Sequence, residues 1–325
     1  MFALALLESC SMSPNRHLLV TNREGVIERC GLDALTWSDK GGVGTASSAD
    51  LARLGAVGVF KGMSGCPVVV DNEIVGAWSA VVGWYETPHF EFTSLERMHS
   101  FRPIAESLEP RHGPRIATAP LRPGELIGAF SIWGDLCLGP IGTVTYADDL
   151  LYCFAHGIDV MVGPRARALM RLRPCAVREV AGEHTITASR GAIAGVSFFD
   201  SPAASFGRSG YYPAHFRLAV TLEVCEERVC EWDFRIAWNP EYMEEVAGIH
   251  RAISPWVNNH AVLCWTKGRS DYAWIEETVA PNLNSLEHLK EDLMSALNEV
   301  VSNAAPGEEY VLCVRQSWFG TSVFS

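Results

Sequence analysis

The chain has no apolar run near the roughly 18 residues that a membrane-spanning helix needs, so no such segment is expected. Its first residues, Met1–Leu7, are apolar but lack a basic flank and are cut short by Glu8. They fall below a signal peptide, read as a first β-strand, and lead to the expectation of a cytoplasmic protein. Basic charge is in deficit, with 26 Lys and Arg against 38 Asp and Glu and a formal net charge of −12. That balance argues against a nucleic-acid partner, which needs a basic surface. Repeats and low-complexity segments are absent. The ten cysteines show no recurring spacing, and Cys225 and Cys230 form a pair with no second pair to complete a zinc site. No metal, cofactor or disulfide framework is therefore expected, and Cys153 and Cys175 read as core thiols.

What is present is the composition of a folded protein: 325 residues, 48% hydrophobic and 20% charged. Short apolar runs punctuated by glycine and proline fill the first 240 residues or so. Pro67–Val70, Ile74–Trp78, Ile141–Tyr146, Leu150–Phe154 and His215–Val224 read as strands. In the last of these Phe216, Leu218, Val220, Leu222 and Val224 share one face, and Arg217, Thr221 and Glu223 the other. Many short strands separated by turn signals suggest barrels or a sandwich. Near the C-terminus, Asn284 and Glu287 resemble a capping box. Leu286, Leu289, Leu293, Leu297 and Val300 then recur at helical spacing and predict one amphipathic helix packed on the β core, with a final strand at Tyr310–Arg315.

One segment carries chemistry. In Gly62-Met63-Ser64-Gly65-Cys66-Pro67 a serine sits among glycines that let the backbone bend. Serine attacks a carbonyl only when a base takes its proton and nearby donors stabilise the oxyanion, for which the N–H groups of Gly62 and Ser64 are the candidates. Pro67–Val70, a turn at Asp71-Asn72 and Ile74–Trp78 follow as a hairpin. An α/β-hydrolase elbow would lead into a helix, so that class is set aside. Among the histidines, His156 stands out because it follows a strand directly, where a rigid scaffold can hold it. Lys40–Thr45 mimics a phosphate-binding loop but lacks the lysine before its threonine, and reads as a glycine-rich loop.

The loop resembles the Gly-Met-Ser-Gly-Ser-Pro element of the SpoIVB peptidases, named for the sporulation stage-IV-B protease. Ile141-Gly142-Thr143-Val144-Thr145 and Ala155-His156-Gly157-Ile158-Asp159 resemble the strand and histidine motif of the same family. The likeness spans residues 50–165 and fades towards residue 240. It implies a mainly β, chymotrypsin-like double β-barrel, here with the serine ahead of the histidine and so in permuted order. It implies Ser64 as nucleophile, His156 as general base and, by position before the serine loop, Asp50 as the acid, with Asp159 and Asp148 as alternatives. Cys66 stands in place of the family's second serine and Ala155 in place of the glycine before the histidine.

The expected organisation is a β unit over residues 1–102 with the serine, a Pro-rich connector over 103–123, a β unit over 124–240 with the histidine, and an α/β extension over 241–325. The expected activity is that of a serine endopeptidase acting on a protein or peptide substrate, self-cleavage included. The oligomeric state is left open, as is a triad shared by two subunits. The alternative is a catalytically inactive protease-fold module that binds a protein partner; an esterase or amidase with the same residues is a third reading.

Overall fold

The computed structural model describes residues 15–22, 24–54, 62–82, 88–108, 112–158, 162–180, 183–224, 227–239, 243–256, 261–268, 273–275 and 286–316. The strand expected at Met1–Leu7 and the capping residue Asn284 lie outside them. The protein is mainly β, and its centre is a pair of closed six-stranded antiparallel barrels.

The first barrel is built from β1 (Arg16–Thr21), β2 (Ile27–Ser38), β3 (Gly41–Ala46), β4 (Pro67–Val70), β5 (Glu73–Val81) and β6 (His89–Ser94), with helix α1 (Ser48–Arg53) between β3 and β4. Its strands run in the order β1-β2-β3-β6-β5-β4 and close through the pairing of β4 with β1. Local sequence explains the β4–β5 hairpin: Asp71 and Asn72 both adopt positive φ, 51° and 69°. A two-residue turn of that hand matches the strand twist, and Asp and Asn tolerate it well. Lys40–Thr45 forms no phosphate loop; Gly41–Thr45 lie in β3, paired with β2 and β6.

Helices α2 (Leu95–His99) and α3 (Arg102–Ser107) and strand β7 (His112–Arg115) lie in or next to the Pro-rich connector. The second barrel follows as β8 (Leu126–Phe130), β10 (Ile141–Ala147), β11 (Leu151–Cys153), β12 (Gly163–Val180), β13 (Glu183–Asp200) and β14 (Ser205–Ser209), with β9 (Ile132–Gly134) branching out between β8 and β10. Its order is β10-β11-β14-β13-β12-β8. Counted along the chain, its first strand pairs with its second and fourth, and its third with its sixth, as in the first barrel. The two barrels thus share one strand order although their sequences show no repeat.

The barrels differ in one respect. β12 and β13 are each 18 residues long, yet β8 pairs with β12 only at Ala168–Arg171 and β14 with β13 only from Gly195 onward. The outer part of this hairpin, as far as the Val180–Glu183 pair, is an arm beyond the barrel. Leu172 and Ile186 from the arm are buried in one apolar cluster with Leu18, Met63, Val68 and Trp78 of the first barrel.

After β15 (Tyr211–Pro213) come β16 (His215–Val224), β17 (Glu227–Ala237), α4 (Met243–Ile253), β18 (Ala261–Gly268), β19 (Ala273–Ile275), α5 (Leu286–Ser302) and β20 (Glu309–Gln316). They form a separate sheet of order β19-β18-β20-β16-β17-β9. β16 and β17 thus share a sheet with the C-terminal strands, β16 pairing in parallel with β20, and β17 joins that sheet to β9. Phe216, Leu218, Val220 and Leu222 of β16 are buried with Leu293, Leu297 and Val300 of α5 and Val246, Ile249 and Ile253 of α4. Thr221, placed by alternation on an outer face, is buried as well. Cys153 is buried, but Cys175 lies exposed on the arm and is no core thiol. Trp78 and Trp133 fill core space, whereas Trp37 and Trp256 are exposed. Among the described residues no helix is long and apolar enough to cross a membrane.

Candidate functional site

Both residues singled out by their motifs lie in the connection between the third and fourth strands of their own barrel. Ser64 precedes β4 and His156 follows β11. The two loops meet at the seam, where Gly62, Ser64, Trp78–Val81, Gly139–Ile141, Phe154, His156 and Ile186 line one cavity of about 480 Å³.

The Gly62–Pro67 loop is shaped by two glycines with positive φ, Gly62 at 105° and Gly65 at 92°. The Cys66 N–H donates to the Met63 carbonyl at 2.9 Å, closing a turn around Ser64. Gly65 N–H donates to the Trp78 carbonyl at 2.8 Å and Trp78 N–H to the Cys66 carbonyl at 3.0 Å, tying the loop to β5. Met63 is buried and anchors the turn in the core. Among the described residues no acceptor takes the N–H of Gly62 or of Ser64. Ser64 itself is half-buried.

The second barrel holds this loop from the other side. Thr143 N–H donates to the Ser64 carbonyl at 2.8 Å, and the Thr145 hydroxyl to the Gly65 carbonyl at 2.9 Å. The approach is close enough to demand glycine on both sides. A Cβ on Gly65 would lie 2.2 Å from the Thr143 carbonyl oxygen, and one on Gly142 would lie 2.4 Å from the Phe154 ring and 2.9 Å from the Ser64 oxygen. Cys66 Sγ lies 3.5 Å from the Thr143 hydroxyl. Burial pushes the Cys66 thiol up to about 12, so it stays neutral and inert near neutral pH.

His156 leaves β11 through a tight, strained turn. Phe154 and Ala155, both buried, have φ of 71° and 57°, a region that residues with a side chain enter at a cost. The turn is held by Thr93 of the first barrel, whose hydroxyl donates to the Ala155 carbonyl at 2.8 Å. Nδ1 of His156 lies 2.7 Å from the Gly157 carbonyl. A carbonyl only accepts, so Nδ1 carries a proton, and in the neutral ring Nε2 then holds the lone pair that a general base needs.

The acids fall in different places. Asp50 lies in α1, accepts the Gly31 N–H at 2.8 Å and faces Arg53 at 3.6 Å; it is not among the cavity residues. Asp148 pairs with Arg102 and accepts the Leu150 N–H. Asp159 lies outside the described residues. Asp200, which the sequence reading passed over, ends β13 with 1% exposure and accepts the Ile158 N–H with both oxygens, at 2.8 and 3.0 Å. It therefore braces the segment carrying His156. Its signal in the sequence was an acid closing the apolar run Ala194–Phe199 just before Ser201-Pro202. Among the described residues no carboxylate bonds to the His156 ring.

No known protein family, curated protein or solved structure matches the chain.

Proposed function

We propose that the protein is a serine hydrolase with a chymotrypsin-like double barrel in permuted order, and specifically an endopeptidase resembling the SpoIVB peptidases. One observation carries the reading: a serine on a glycine turn, with no acceptor among the described residues for the N–H groups of Gly62 and Ser64, shares a seam cavity with a histidine whose neutral ring carries its lone pair on Nε2. The shared strand order of the two barrels supports it, as does the position of both residues in equivalent connections.

In the proposed reaction Nε2 of His156 takes the Ser64 proton as Oγ attacks the substrate carbonyl. The Gly62 and Ser64 N–H groups hold the oxyanion. His156 then protonates the leaving atom, and water, deprotonated by the same imidazole, releases the acyl group. Asp200 is the acid we assign, as a positioning residue acting through the backbone of the His156 segment.

A second reading rests on the Nδ1 contact of His156 with its neighbour's carbonyl, where a triad would place a carboxylate. That contact favours an inactive module on the same fold that binds a protein partner. A fluorophosphonate probe separates the two. Labelling of the intact protein that is lost in Ser64→Ala supports the hydrolase, whereas a folded protein that never labels supports the binding module.

A further inference from the structure

The hairpin arm is longer than its barrel requires, and it places Ile186 in the site. Ile186 of β13 is buried, lines the cavity and lies against the oxyanion loop. A Cβ placed on Gly62 would be 2.3 Å from Ile186 Cγ2 and 3.6 Å from Ile141 Cγ2. Both halves of the molecule therefore contribute a wall to the cavity that Ser64 lines. Trp78, Ser79, Ala80 and Val81 of β5 form one, and Pro140 and Ile141 of the second barrel, with Ile186 of its arm, form the other. Among the described residues no lining residue is acidic, and His156 is the one ionisable group in the lining.

The mechanism assigns the walls. The base that receives the Ser64 proton returns it to the departing atom, so the leaving group sits on the side of His156 and its barrel. We propose that Ile186, presented by the arm, together with Ile141 selects an apolar residue immediately beyond the scissile bond. This inference rests on the hydrolase reading above. A charged residue there would lose its water and find no partner among the described lining residues, whereas a branched apolar one would exchange water for the two isoleucines.

Partitioning of the acyl-enzyme isolates that side of the site. After acetylation of Ser64 by p-nitrophenyl acetate, an added amine competes with water. The amine nitrogen bonds to the acetyl carbon as the C–Oγ bond breaks, and the amine proton passes through His156 back to Oγ. The products are the acetylated amine and free Ser64. Leucinamide is expected to trap the acetyl group about tenfold better than glycinamide or lysinamide, within the range one apolar contact provides. Ile186→Ala removes that preference, and the milder Ile186→Val, which keeps most of the packing, weakens it. Equal trapping of the three amines by the native protein overturns the proposal. So does a preference that persists in folded Ile186→Ala while the acetyl-enzyme still forms. Absence of any acetyl group on Ser64 overturns the hydrolase reading itself, and this one with it.

Discussion

The backbone N–H of Thr143 donates to the carbonyl of Ser64 at 2.8 Å, across the seam between the two barrels. The two sequence motifs are thus one structural unit. The Ile141–Thr145 strand supplies the donors that fix the serine loop, and it carries glycine at residue 142 because the Ser64 oxygen and the Phe154 ring leave no room for a Cβ. Whatever moves one barrel relative to the other moves the serine relative to the histidine.

Gly65→Ala tests that unit most severely. A Cβ at a φ of 92° would also meet the Thr143 carbonyl oxygen at 2.2 Å. The left-handed backbone alone costs about 1–2 kcal/mol, and relief of the clash requires the barrels to part. A loss of at least about 3 kcal/mol is expected in chemical denaturation, in line with other severe backbone and packing lesions. A loss below about 1 kcal/mol would mean that the loop does not sit against the second barrel.

Thr145→Val removes the buried hydroxyl that donates to the Gly65 carbonyl. The expected cost is about 1–2 kcal/mol for an orphaned buried acceptor. Fluorophosphonate labelling of Ser64 should slow as the loop loosens. Thr145→Ser keeps the donor and should recover most of the labelling rate, which a purely steric role for the methyl group would not allow.

Asp200 and Asp50 make opposite predictions. Asp200→Asn leaves an oxygen for the Ile158 N–H but removes the buried charge beside the histidine segment. A fall in kcat/KM of about 10²-fold or more is expected, the scale of a disturbed general base, with a changed pH–rate profile. Asp50→Asn, a change in α1 away from the cavity, should leave kcat/KM within about twofold. Ester hydrolysis followed across pH reads both variants; a reversed pattern returns the acid's role to Asp50.

Burial pushes the thiols of Cys30 and Cys66 from the ordinary 9.0 up to about 12, and that of Cys153 upward too. In the unfolded chain they ionise at the ordinary value, so unfolding releases protons once the pH passes it. The stability they contribute is whole below about pH 9 and is lost as the pH rises from there towards 12. Urea denaturation should show a steeper decline from pH 8 to pH 10 in the native protein than in Cys30→Ala. At pH 8 the exposed Cys175 should react with a thiol reagent while the three buried thiols do not.

The strands with clear turn signals were legible in the sequence. Asp71-Asn72 marked the β4–β5 hairpin, and alternation marked β16. The serine loop and His156 could be singled out because glycine, serine and histidine carry local constraints. Asp200 was harder to single out, because an aspartate that braces a backbone segment 42 residues away is marked locally only by its place at the end of an apolar run. Asp50 followed from linear position, and linear position does not report which barrel face a residue occupies. The common strand order was invisible because topology is kept by pairing partners and not by residue identity. Helix α4 was overlooked although Val246, Ile249 and Ile253 have helical spacing, since its run is short. The arm was unreadable as an arm: length alone does not say where a strand loses its neighbours.

Each barrel closes through hydrogen bonds within its own stretch of chain, residues 16–94 for one and 126–209 for the other. Neither needs the other to complete its wall of strands. The order in which a ribosome makes them is then a matter of wiring. Two fragments divided in the connector should find each other through Thr143, Thr145 and Thr93 and rebuild the seam, and a gene with the halves exchanged should encode the same cavity.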